Sequence, residues 1–273
     1  MIRLAFTTID TRLKRSWKNL KTQQALSGTR LKKLSDLPPI LQQYLQRCGY
    51  ADDVPPISIG LNWREAFLQF NPTGNWKKIT CRQVNFLYRP ARIALMRRQL
   101  LGFLTLEACD QYVSKKGRMT IQFAKIFQLS DAQGPEMDHS ALVTMLAEVM
   151  LFPQLAFCPD IEWQIAGTRV LQATLTDEVL TVSGNFHFDD KGDIIKFSTN
   201  DRYFSGPDGK YLHMPWVAFA NDYRWSGGYR IPGEFSAGWM RPEGLWLYFK
   251  GSFDTFFETT DYSHLQAFLL NKK

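Results

Sequence analysis

Leu180-Thr181-Val182-Ser183-Gly184-Asn185-Phe186-His187-Phe188, followed by Asp189-Asp190-Lys191-Gly192-Asp193, decides the fold class. Leu180, Val182, Phe186 and Phe188 alternate with Thr181, Ser183, Asn185 and His187. A period of two puts the apolar set on one face of a strand and the polar set on the other. The Asp- and Gly-rich pentapeptide is a turn by composition, and residues 194–204 return beyond it. Gly206-Pro207-Asp208-Gly209 makes the next turn, and strands are expected over 211–224, 229–239 and 244–257. Strands joined by turns this short pair antiparallel, because a parallel crossover needs a dozen or more residues.

Upstream the same logic reads strands over 57–70 and 77–89, parted by Asn71-Pro72-Thr73-Gly74-Asn75. A hairpin over 101–113 and 118–129 turns at Ser114-Lys115-Lys116-Gly117. One helix interrupts, at about 138–151. Asp138 or Ser140 can cap it, Leu142, Val143, Met145, Leu146, Val149 and Met150 bury it, and Pro153 ends it. An earlier helix is signalled by Asp36 before Leu37-Pro38-Pro39, then by Ile40, Leu41, Tyr44 and Leu45, and is stopped by Gly49. The expected architecture is α+β and predominantly antiparallel β: a curved sheet or half-barrel, its concave face covered by the 138–151 helix and the N-terminal helices.

Charge divides the chain differently. Residues 1–33 hold nine basic side chains against the single acid Asp10, so that segment carries +8 of a net charge of +7. Leu13, Trp17 and Leu20 fall on one helical face there, with Arg12, Lys14, Arg15, Lys18 and Lys21 on the rest. Residues 1–35 therefore read as a basic amphipathic arm, and 36–273 as one β-rich domain. The arm suits an anionic membrane surface, with Trp17 at the headgroup level; docking of its stripe on the domain is the alternative. The remaining body is close to neutral, which argues against nucleic acid as a partner.

Other classes are set aside by what the sequence lacks. Leu4 to Ile9 is broken by Thr7 and Thr8 and is too short for the apolar core of a secretory signal. No run approaches the roughly 20 apolar residues of a membrane span. The expected location is the cytoplasm, at most peripheral to the inner membrane. Cys48, Cys81, Cys109 and Cys158 form no CxxC pair and read as buried thiols, so no metal or other cofactor is expected. Nucleophile elbows, phosphate loops and dinucleotide fingerprints are absent. Glu136-Met137-Asp138-His139 is a lone ExxH at a helix start, where acids serve the dipole.

Residues 203–257 contain 16 aromatics, 7 Phe, 5 Tyr and 4 Trp. A core explains such density, and so does the wall of a concave apolar pocket. Glu148, in the apolar run Met145–Leu151, either joins Ala141 and Thr144 on a solvent face or is buried beside a cation such as Arg202 or Arg230. Trp163, Trp216, Tyr223, Arg230 and Trp239 complete the candidate ligand-binding set, with Arg230 holding an anionic head group.

An ordered series of residues carries a resemblance. Leu37-Pro38, Tyr44-Leu45 and Gly49 come first; Asp110, Tyr112 and Gly117 follow, then Leu146-Ala147-Glu148, Pro153 and Trp163. Arg202, Pro215-Trp216, Asp222-Tyr223, Gly228, Ile231-Pro232 and Trp239 close it. The chain resembles, over about residues 35–257, an uncharacterised bacterial domain-of-unknown-function family, and its layout is similar to the half-barrels of periplasmic lipoprotein carriers. The resemblance implies a fold and no activity. Members of that family often carry membrane segments before the domain, a place the basic arm takes here. The expected function is non-catalytic binding of an apolar or amphipathic, lipid-like ligand at a membrane surface. The alternatives are an enzyme with an acid-based site around Glu148, Arg202 and Tyr223, or a structural protein without a small ligand.

Overall fold

The alternation over 180–188 is realised as a strand: Val182, Phe186 and Phe188 are buried while Thr181, Ser183, Asn185 and His187 keep partial or full access to solvent. Gly184 leaves the room that the Phe197 ring of the next strand occupies. The turn closes by Asp189 Oδ1 accepting from the amides of Lys191 and Asp193, the local competition with water that makes Asp a turn residue. The computed structural model describes residues 3–4, 9–25, 31–50, 58–86, 90–102, 104–206 and 209–270.

The first half of the chain carries β1 (Arg3–Leu4), α1 (Ile9–Ala25), α2 (Pro39–Arg47), β2 (Ser58–Leu68), β3 (Lys77–Phe86), β4 (Ala91–Gln99), β5 (Thr105–Val113), β6 (Lys116–Phe123), β7 (Phe127–Gln133) and α3 (Pro135–Ala147). The second half carries β8 (Ile161–Gly167), β9 (Val170–Asp177), β10 (Leu180–Phe188), β11 (Ile194–Thr199), β12 (Tyr203–Ser205), β13 (Tyr211–His213), β14 (Trp216–Ser226), β15 (Tyr229–Arg241), β16 (Gly244–Thr259) and α4 (Tyr262–Leu270). Among the described residues, fourteen strands form one sheet in the order β1-β7-β6-β5-β4-β3-β2-β16-β15-β14-β11-β10-β9-β8, and β12 and β13 form a separate ribbon. Each pairing in the large sheet is antiparallel. Two meanders are thus joined at a seam where β2 pairs with β16, Ser58 opposite Thr259 and Leu68 opposite Phe249.

The sheet is curved and unclosed. Right-handed twist accumulates over so many strands until the wings meet at one end, where Tyr112 Oη donates to Asp177 Oδ2 at 2.7 Å and Lys115 pairs with Glu178. α3 lies in the trough and touches β5, β6 and β7 on one wing and β9 and β10 on the other. It begins at Pro135 with Gly134 as its cap residue, so neither Asp138 nor Ser140 caps it. Asp138 instead ties the helix to β6, accepting from the Gly117 amide at 2.8 Å and from Lys116 Nζ at 2.9 Å. A Cβ at Gly117 would collide with the Met137 carbonyl, so only glycine permits this approach. Asp36 likewise does not cap α2, whose cap residue is Pro38; it accepts from the Lys33 amide.

Several elements depart from expectation for one physical reason. β3 buries Gln83, Val84, Asn85 and Phe86 in succession, and β4 buries Ala91 to Leu95. Strands covered on both faces lose their alternation, which is why β4 gave no signal. The second cover is α1 with α4, on the face opposite α3. Ile9, Leu13, Trp17 and Leu20 pack there with Phe86, Ile93, Leu265 and Leu269. Trp17 is 3% exposed and meets Phe86 edge-on at 5.7 Å. The N-terminal helix therefore does not cover the concave face, and its stripe, Trp17 included, is used on the sheet rather than free for lipid headgroups. Lys14, Arg15 and Lys18 remain exposed; the side chains of Arg12 and Lys21 lie outside the described residues. No described helix is long and apolar enough to cross a membrane.

Candidate functional site

A cavity of about 420 Å³ lies between α3 and the inner face of the sheet. Leu68, Met96, Ile121, Phe235, Ala237 and Phe249 give it apolar walls from both wings. Period-two geometry contributes to this: Arg92, Ala94 and Met96 of β4, Met119 and Ile121 of β6, and Phe235, Ala237 and Trp239 of β15 line it as alternate residues. Two polar groups stand out, one at each end of the chemistry available.

The first is built on Glu148, in the 3-10 turn Glu148–Met150 that ends α3. Glu148 is 4% exposed, so it does not lie on a solvent face with Ala141, itself buried. Its partner is neither Arg202 nor Arg230 but Arg92 of β4, whose Nε stands 3.0 Å from Glu148 Oε1. Asn85 Nδ2 donates to Glu148 Oε2 at 2.6 Å, and Asn85 Oδ1 accepts from Gln83 Nε2 at 2.9 Å. Arg92 Nη1 donates in turn to Asp110 Oδ2 at 2.5 Å. Burial raises the Glu148 pKa, against the pull of Arg92 and Asn85. Burial also opposes the Arg92 charge, yet Glu148 and Asp110 together hold its pKa above the usual value. The cluster is a paired, hydrogen-bonded knot at the cavity wall.

The second is Arg202, on the segment between β11 and β12. Its guanidinium sits 4.3 Å from the centre of the Trp216 ring and 5.5 Å from that of Trp239. Nη1 donates to Thr144 Oγ1 of α3 at 2.8 Å. Among the described residues no carboxylate pairs with it, and its Nε is buried without a hydrogen-bond partner. Two indoles steady the cation without neutralising it.

Glu148, Arg202, Trp216 and Trp239 are thus brought together at one cavity. Trp163, Tyr223 and Arg230 are not. Trp163 packs on Phe186 and donates to the Ala156 carbonyl. Tyr223 Oη donates to the Ile194 carbonyl at 2.7 Å and lies 3.3 Å from Tyr44 Oη, so it cannot join Glu148 and Arg202 in an acid-based site. Arg230 holds both oxygens of Asp193, at 2.6 and 2.7 Å, and Arg47 of α2 reaches the same carboxylate. Its fork is filled by that carboxylate and is not a head-group anchor.

Burial alone would raise the Asp193 pKa, but Arg230 and Arg47 hold it below the ordinary value. A depressed carboxyl pKa stabilises the fold above the unfolded-state pKa, about 3.9, and that contribution is lost as pH falls through the folded value. Asp193→Asn is expected to lower stability by about 1.5–3 kcal/mol at neutral pH. Urea unfolding below pH 4 should show the difference shrinking; a constant difference would refute the assignment.

Sequence reasoning missed Arg92, Asn85 and Gln83. The signal for Arg92 was present: it is the lone charge in Ala91-Arg92-Ile93-Ala94-Leu95-Met96, and a charge in an apolar strand requires a buried partner. All four cysteines are buried, and none is joined to another in a disulfide. Among the described residues no group of three His, Cys, Asp or Glu side chains could hold a metal.

Residues 28–251 match a family described as "Family of unknown function (DUF6544)". The chain belongs to the DUF6544 family. The matched span contains β2 to β15 and so the cavity with both its polar groups. No curated protein matches this DUF6544 chain in sequence. Among solved structures, a LolA superfamily protein from Nitrosomonas europaea is 10% identical, covering 84% of this chain and 95% of its own, with a TM-score of 0.46. A DUF1329 family protein from Desulfovibrio piger is 9% identical, covering 93% and 98%, with a TM-score of 0.42. Likenesses this loose say nothing about ligands.

Proposed function

We propose that this DUF6544 protein binds an amphipathic, lipid-like molecule, its apolar part in the trough beneath α3 and an anionic head group on Arg202. The observation that carries this reading is the unsatisfied Arg202 Nε beside an apolar cavity. Buried polar groups are usually paired, and this arginine also has no carboxylate partner among the described residues, its guanidinium resting on Trp216 and Trp239 at the cavity. The cavity volume lies in the range of small-molecule sites, whose usual form is apolar walls with a few placed polar groups. An arginine fork is the donor suited to carboxylate or phosphate.

Titration with the fluorescent fatty acid cis-parinaric acid tests it. The intact chain should bind the probe, and Arg202→Met should weaken binding about 10- to 100-fold, the worth of charge-assisted hydrogen bonds. A long-chain alcohol competing for the same cavity should bind both proteins alike. No binding by the intact chain, or equal affinity in the variant, overturns the reading.

A further inference from the structure

Six of the thirteen exposed large apolar side chains among the described residues gather at one end of one wing. Phe70 (58% exposed), Leu100 (40%), Leu101 (80%), Ile126 (52%), Phe127 (37%) and Leu129 (47%) all lie at or next to three turns. These turns join β2 to β3, β4 to β5 and β6 to β7. In an antiparallel meander alternate turns fall at the same end of the sheet, and here they are neighbours. Thr80 stands opposite Arg97, and the Ala124 amide of the last turn bonds to the Thr105 carbonyl at the start of β5. The result is a row of apolar fingertips along one edge of one wing.

The charge beside them has one sign in excess. Lys77, Lys78, Arg97, Arg98, Lys125 and Lys250 stand at these strand ends against the two acids Glu65 and Glu107. Glu65 is taken by Lys78 at 3.2 Å, and Glu107 by Arg97 at 3.2 Å and Lys125 at 3.8 Å. The edge stays positive after these pairings. Isolated exposed apolar residues need no explanation, but a contiguous set rimmed by charge marks an interaction surface.

We infer that this edge docks on an anionic lipid bilayer, with Phe70, Leu100, Leu101 and Ile126 entering the interface and the basic side chains meeting the headgroups. Apolar tips flanked by Lys and Arg are the combination that an anionic interface rewards, through buried apolar area plus electrostatic attraction. The arrangement also places the cavity close by: its wall residues Leu68, Met96 and Ile121 lie on the same strands just inward of the turns. The surface assigned is the sheet edge and not the stripe of α1, which is buried. The inference rests on the exposed residues and would stand without the cavity ligand.

Co-sedimentation of the full chain with vesicles tests it, using phosphatidylcholine alone and phosphatidylcholine mixed with phosphatidylglycerol. The chain should bind the mixed vesicles and release them at high salt. The double variant Leu101→Asp, Ile126→Asp should bind at least roughly tenfold more weakly, with an unchanged melting temperature because both side chains are already exposed. In a second measurement, Leu101→Trp should show a blue-shifted emission on adding mixed vesicles, read against the unsubstituted chain. Three results overturn the inference: no binding to mixed vesicles, full binding by the double variant, or no shift at Trp. Binding lost in Lys14→Glu, Arg15→Glu, Lys18→Glu but kept in the double variant would assign the contact to the helix face instead, and likewise overturn it.

Discussion

Arg92→Ala is expected to lower folding stability by about 3–5 kcal/mol, the range for stripping one partner from a buried ion pair. Arg92 and Glu148 are each 4% exposed, so water cannot replace the lost guanidinium. Two carboxylates, Glu148 and Asp110, would be left facing one another across the gap. Removing both members of the pair should be gentler: Arg92→Met with Glu148→Leu deletes the desolvation penalty along with the attraction, and is expected to retain more stability than Arg92→Ala. The single variant should also respond to acid with a definite sign. Burial already raises the Glu148 pKa, and without Arg92 it rises further, so the variant is less impaired below the unfolded-state pKa and loses ground as pH increases through the folded value. Urea unfolding from pH 4 to 8 checks both claims. An Arg92→Ala protein within 1 kcal/mol of the parent, by the scale of ordinary surface changes, would show that the knot contributes nothing to the fold.

The second large effect is expected at the two indoles that flank Arg202. Trp216 is 2% exposed and Trp239 is 6% exposed, so truncating either to Ala should cost about 3–5 kcal/mol. Their sequence context allows core or pocket wall, and in the fold both are buried and line the cavity. Trp216 packs on Phe197, bonds through Nε1 to Tyr248 Oη at 3.2 Å, and presents a ring face to Arg202. A milder change separates the roles. Trp216→Phe keeps an aromatic face of smaller size, so it should retain more of the stability than the Ala variant while weakening the seat of Arg202 and hence probe binding. Denaturation midpoints measured beside parinaric acid titrations give the comparison; a Trp216→Ala protein of parental stability would remove Trp216 from the core.

Local pattern carried the reading where one face of the sheet is wet. β10, with Thr181 out and Val182 in, announces itself, as do the turn at Asp189–Asp193 and the hairpin at β5 and β6. Where both faces are covered the pattern fades, and β4 was invisible because Ala91 to Leu95 are all buried. The strand expected to run to residue 129 is in fact two, β6 and β7, with Ala124 and Lys125 at positive φ in the turn between them. Those are turn positions without the glycine that normally signals them. α4 escaped notice as well, although Asp261 accepts from the Ser263 amide at its start. For the site, Glu148, Arg202, Trp216 and Trp239 could be named from residue type. Which cation faces which acid depends on register between distant strands, and nothing local records that Arg92 rather than Arg230 meets Glu148.

The seam between β2 and β16 has a consequence for how the chain is made. β16 is a central strand of the sheet made long after its neighbour β2, and the bond from Ser58 Oγ to the Thr259 carbonyl spans 201 residues. Until that strand leaves the ribosome, β2 and β15 each present an open hydrogen-bonding edge, the feature that folded sheets take care to cover. Loss of β16 would not trim a border but split the sheet in two, leaving both halves with a sticky margin. β16 is thus the keystone of the sheet, and until it is in place the open edges of β2 and β15 call for shielding from other chains.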